Sequence, residues 1–140
     1  MKRIKPFNIF ESYQSANDIM EKRIREISDV YEDARSIVYI LEEDGYKVEW
    51  KLISGIFSYS IKGDISECIL RNSHMIGRDL LSKVVSIRIN IPGIGGRNRE
   101  DARTDMQRFK VLLEDHLDYL PEGSLELVDG GFYYKIYINI

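Results

Sequence analysis

The stretch INIPGIGGRNREDAR, residues 89–103, holds the residue types best suited to binding a small anion. Gly93, Gly95 and Gly96 sit between an apolar run ending at Ile91 and a helical pattern starting near Asn98, with Arg97 and Arg99 beside them. Glycines let backbone N–H groups approach an anion, and a helix N-terminus adds free N–H groups and a partial positive charge. Arginine forks match phosphate oxygens. The order is neither Gly-Lys-Ser/Thr nor G-x-G-x-x-G, so a P-loop and a dinucleotide fingerprint are both excluded. The expectation is a phosphate-bearing ligand or nucleotide at Gly93–Arg99, against the alternative of a glycine-rich connection.

Other chemistry is sparse. His74 falls in the least patterned part of the chain, and His116 lies at the edge of an apolar helix face. Cys68 is the single cysteine, so no internal disulfide and no cysteine-rich zinc site can form. Glu100 and Asp101 fall where carboxylates complement a helix N-terminus. These residues point away from an enzyme, and no cofactor or metal is expected.

A second candidate surface comes from strand alternation. If the apolar positions face inward, Lys51, Lys62, Arg88, Tyr133, Lys135 and Tyr137 share the opposite sheet face, with Lys47, Glu49, Ser58, Ser60, Ser86, Asn90 and Asn139. Tyrosines beside lysines suit a protein partner or the stacking of bases. No RNA-recognition signature occurs, so nucleic acid is the disfavoured partner. The simplest alternative is a solvated face.

The elements that must position these residues follow from periodicity. Met20, Ile24, Ile27, Tyr31, Ala34, Val38 and Leu41 step by four and three, one stripe along a helix. The stripe fits one long helix or two in line, ending at Gly45. Residues 46–53 and 57–61 alternate and read as a hairpin turning at Ser54-Gly55. A short helix is expected over Met75–Lys83, a strand over 84–91, and a helix from Asn98 to about Leu120. A last hairpin turns around Gly130-Gly131, with Phe132, Tyr134, Ile136, Ile138 and Ile140 on its inward face.

The fold class is therefore α+β: a two-layer sandwich of about five mostly antiparallel strands with helices on one face. The helix–hairpin pattern occurs twice, which fits a duplicated unit or, equally, two common solutions to one packing problem. The final strand reads as a sheet edge able to pair with a second copy, which makes a homo-oligomer an expectation. At 140 residues, 44% hydrophobic and 31% charged, the chain fits one domain with its own core. A net charge of −3 does not suggest a dedicated nucleic-acid binder. No apolar run is long enough to span a membrane, and the basic start lacks the apolar segment of a secretory signal.

The opening segment KPFNIFESY resembles the start of small proteins of large tailed bacteriophages. It is also similar to the capsid-targeting leader of internal head proteins in contractile-tailed phages. In that family a phage protease cuts after Leu or Ile, any residue, then Glu, and Ile9-Phe10-Glu11 matches that order. The resemblance implies processing between Glu11 and Ser12, an arm or leader over residues 1–14 and a folded domain over 15–140. It further implies a non-enzymatic phage accessory protein that binds a host factor, counteracts host defence, and works in the host cytoplasm or from the virion interior. The alternative is an N-terminal arm whose Ile4, Phe7, Ile9 and Phe10 pack on the domain.

Overall fold

A computed structural model describes the backbone of residues 4–82 and 85–140, and the side chains of residues 17–81 and 85–140. Helix α1 (Ile4–Glu43) precedes the hairpin β1 (Glu49–Ser54) and β2 (Phe57–Ser60). Helices α2 (Ile65–Arg71) and α3 (Ser73–Ser82) lead to strand β3 (Val85–Ile91). Helix α4 (Arg99–His116) and the hairpin β4 (Leu125–Asp129) and β5 (Tyr134–Asn139) complete the chain.

The apolar stripe of the first helix is continuous, so one helix forms rather than two. It passes without a break through the boundary expected after residue 14. Glu11 and Ser12 lie on its backbone, but their side chains fall outside the described residues, as does all of residues 1–3. At the other end Gly45 takes φ +91°, which lets Tyr46 N–H reach Leu41 O and Gly45 N–H reach Glu42 O, both at 3.0 Å. Those two bonds satisfy carbonyls that the last helical turn leaves open.

Helix α2 is not apparent from periodicity, because seven residues give too few turns to show a stripe. Its signal is local. The Asp64 side chain accepts from Ser66 N–H, and Ile65, Cys68 and Ile69 face inward. The helix end expected at Lys83 and the strand start at Val84 lie outside the described residues.

All five strands join one antiparallel sheet in the order β2-β1-β3-β5-β4. The edges are therefore β2 and β4. The final strand, expected at an edge, lies between β3 and β4 instead. Its apolar alternation reflects burial against the helices, and both its backbone sides are already paired. The two helix–hairpin units flank β3, but the inner strand is the first of one hairpin and the second of the other.

Leu52, Ile87, Ile89, Ile136 and Ile138 form one core with Ile27, Tyr31, Ala34, Ile65, Ile69, Ile76, Leu80, Met106 and Phe109. The buried apolar side chains of all four helices belong to that core, so the described helices cover a single face of the sheet. Each fully buried aliphatic side chain contributes about 1.5–3 kcal/mol. Phe132, expected in the core, is 62% exposed because β5 begins at Tyr134, beyond the glycine turn.

Candidate functional site

The strand register arranges the uncovered face into rungs. One rung runs Ser60, Lys51, Arg88, Tyr137, Glu126. The next runs Glu49, Asn90, Lys135, Val128. A third runs Ser58, Ile53, Ser86, Asn139. Lys51, Arg88, Lys135 and Tyr137, singled out from alternation alone, are thus neighbours across three adjacent strands. Lys62 is exposed just past β2.

Arg88 stands on the central strand, at the middle of this face. Its guanidinium lies 6.0 Å from the Tyr137 ring centroid, and its Nε is buried with no hydrogen-bond partner. Lys51 Nζ donates to Ser60 Oγ at 2.6 Å. Lys135 Nζ lies 5.8 Å from the ring centroid of Tyr133. Among the described residues none of these three cations is ion-paired with a carboxylate.

Beside Arg88 the face is indented. Glu49, Asn90, Ile91, Pro92, Tyr133, Tyr134 and Lys135 line a depression of about 260 Å³. The Asn90 Oδ1 is buried and has no partner. Tyr133 is held by close packing: a Cβ on Gly130 would lie 2.3 Å from the Tyr133 ring.

In the glycine loop both arginines make contacts within the chain. Arg97 donates from Nη1 to Asp105 Oδ2 at 2.7 Å and from Nη2 to the Asp44 carbonyl at 2.9 Å, and lies over the Tyr46 ring. Tyr46 donates to the same Asp105 oxygen at 2.7 Å. Burial, and then the bond to Asp105, push the Tyr46 phenol pKa up. Arg97 therefore ties the end of α1 to α4. Arg99 stacks on Phe132, 5.0 Å from the ring centroid, and packs against Gly131.

Asn98 caps α4 by accepting from Asp101 N–H at 2.8 Å, and Glu100 and Asp101 already complement that helix end. Gly95 has φ +58° and lies against the Gly45 carbonyl, while Gly96 has φ +79°. The cleft beside the glycines is lined by Gly45, Lys47, Pro92, Gly93 and Gly95, and by neither arginine.

Two other groups invite a catalytic reading. Ser36 Oγ lies 2.9 Å from His116 Nε2. The Ser36 hydroxyl donates to the Asp33 carbonyl at 2.6 Å, so the ring nitrogen must be the donor in the second contact. That is the reverse of a base drawing a proton from a nucleophile. Cys68 is buried, and burial pushes its thiol pKa up, away from the reactive thiolate. Among the described residues no cluster of three His, Cys, Asp or Glu side chains has the arrangement of a metal site. None of the described helices is long and apolar enough to cross a membrane.

Two features of the face are not visible in the alternation pattern. Alternation places Asn90 on the face as an ordinary solvent-facing residue, but its Oδ1 is buried between β1 and β5. Pro92 reads as loop, yet walls the depression. Comparison with known proteins gives no match to any family model, curated protein or solved structure.

Proposed function

We propose that this chain is a non-enzymatic binding protein whose open sheet face docks an acidic partner protein. The observation that carries this reading is the set Lys51, Arg88 and Lys135, adjacent across β1, β3 and β5, unpaired with carboxylates and covered by none of the described helices. A half-buried arginine beside a tyrosine ring is the composition of an interface centre. A protein partner fits better than nucleic acid. The Tyr133 and Tyr137 rings each hold a cation of this chain, which competes with base stacking. Glu49 and Glu126 interrupt the basic track on the same rungs, where a phosphate backbone needs continuous positive charge.

The resemblance of the opening segment to a phage leader supports a host protein as the partner. The intact mass of the natural protein tests that part, with a chain beginning at Ser12 expected from processing and one beginning at Met1 or Lys2 counting against it. The docking face is tested by fluorescence anisotropy with labelled Ac-(Asp-Gly)4-NH2. Lys51→Glu/Arg88→Glu/Lys135→Glu should weaken binding at least about tenfold in a chain that still unfolds cooperatively, since like charges facing each other across an interface cost several kcal/mol. Equal affinity in the variant overturns the reading. Tighter binding of an oligouridine of the same length favours nucleic acid instead.

A further inference from the structure

The sheet ends in β2 on one side and β4 on the other, and the two edges differ in what their own chain leaves open. Asn139 N–H donates to Ser124 O at 2.8 Å and Gly130 N–H donates to Tyr133 O at 2.9 Å, which fixes the phase of the β4–β5 ladder. Glu126 and Val128 therefore bond inward to β5, and the N–H and C=O groups of Leu125, Leu127 and Asp129 point away from it. Among the described residues no backbone hydrogen bond reaches those outward groups. On β2 the bond from Ile61 N–H to Trp50 O at 3.0 Å leaves Ser58 and Ser60 facing outward, but the Ser60 carbonyl already accepts from Cys68 Sγ of α2.

The β4 edge also lacks the usual guards against pairing. Its sequence, LELVD, holds no lysine and no proline, and its register with β5 runs residue for residue with no bulge. Leu127 lies on the helix side of the sheet, opposite fully buried Ile136, yet is only half-buried, so the helical layer stops short of it.

The strand is complementary to itself in one register. With a two-fold axis at Leu127, that residue meets its own counterpart in a second copy and Leu125 meets Asp129, each pair exchanging both N–H···O bonds. Glu126 then faces Val128, so no two carboxylates stand directly opposed. An axis at Glu126 sets that carboxylate against its own copy. An axis at Val128 sets Leu125 against Gly131, whose N–H already donates to Asp129 Oδ1 at 2.8 Å.

We propose that this chain associates with a second copy of itself through β4, antiparallel and centred on Leu127, joining two sheets into one. The axis relating antiparallel strands stands perpendicular to the sheet. Both open faces, each with its Lys51, Arg88 and Lys135, therefore lie on the same side of the pair. The inference is independent of the docking role above, since it uses backbone groups of the edge alone.

The test combines sedimentation equilibrium with amide hydrogen exchange on the full chain from about 10 μM to about 1 mM, the range suited to a small interface. The mass should rise toward that of a dimer. The Leu127 and Asp129 amides should gain protection with concentration, while those of Glu126 and Val128 are protected throughout. Leu127→Lys and Leu127→Glu should each weaken association at least about tenfold, and an equimolar mixture of the two should restore it, because like charges facing each other at the axis become opposite ones. Restoration needs both variants folded, so it separates a broken interface from an unfolded chain. A monomer mass across the whole range, protection gained at Ser58 instead of Leu127, or a mixture no more associated than either variant alone overturns the proposal.

Discussion

Replacing Arg97 by methionine separates two accounts of the glycine loop. In the structure its guanidinium makes two short charge-assisted bonds, to the Asp105 carboxylate at 2.7 Å and the Asp44 carbonyl at 2.9 Å. Bonds of this kind contribute about 1.5–3 kcal/mol each when enclosed. The Arg97 side chain is 33% exposed and Asp105 20%, so solvent screening takes part of that away. Methionine loses the guanidinium that lies over the Tyr46 ring, but Asp105 retains its bond from Tyr46, so no carboxylate is orphaned. The expected loss is about 2 kcal/mol, which lowers the thermal midpoint by roughly 6–10 °C at this chain length. Urea unfolding followed by circular dichroism reads the same loss as a shift in midpoint at constant slope. A cycle with Asp105→Asn should show about 1 kcal/mol of coupling, since the two side chains touch. A cost below about 0.5 kcal/mol with no coupling refutes the argument, and Arg97 is then free to hold an anion as its sequence context suggests.

Other outcomes follow from the same geometry. Gly95→Ala should cost about 1–2 kcal/mol, because Gly95 has φ +58° and a Cβ would lie 3.0 Å from the Gly45 carbonyl oxygen. Gly93→Ala, with nothing within 4 Å of the new Cβ, should stay within about 0.5 kcal/mol on the same urea curves. Arg23→Met should cost about 2–3 kcal/mol in a calorimeter, because Arg23 is buried and donates to the carbonyls of Leu80 and Ile140. The Gly131 N–H bond, and then the bond from Arg103, hold the Asp129 carboxyl below its usual range. Its contribution is therefore full above pH of about 4, and is lost as pH falls from there through the lowered folded pKa. The gap in urea midpoint between the wild type and Asp129→Asn should be constant above pH of about 4 and narrow as pH falls below it.

Much of this fold is legible in the sequence because one-sided burial leaves a period. The four-three stripe from Met20 to Leu41 marks α1, and the alternation of Val85 to Ile91 marks β3, the central strand. Length limits the same reasoning. Helix α2 has three inward residues, Ile65, Cys68 and Ile69, too few to repeat. Strand order is a non-local property, and nothing in FYYKIYINI distinguishes an edge strand from an interior one when both bury one face. Phe132 shows the matching error at an element boundary: alternation continues through it, but the turn at Gly131 has already taken it out of the sheet.

The candidate site divides along the same line. Which residues share the open face follows from parity, so Lys51, Arg88, Lys135 and Tyr137 could be grouped from the sequence. Which of them are neighbours depends on register, and that sets the rungs and the Asn90 depression. The glycine loop looks like an anion site because Arg97 and Arg99 are adjacent to it in sequence. Their partners within the chain are Asp44 and Asp105, 53 and 8 residues from Arg97, and Phe132 at the β4–β5 turn, 33 residues from Arg99.

The central claim is that the open face is where a partner docks. Its most direct test is to map where Ac-(Asp-Gly)4-NH2 lands on the isotope-labelled chain by amide NMR at low salt. The account predicts shifts confined to residues 49–53, 86–90 and 135–139, fading as salt rises. Shifts centred on the Gly93–Arg99 loop or the helical layer, or no shifts at all, would contradict it.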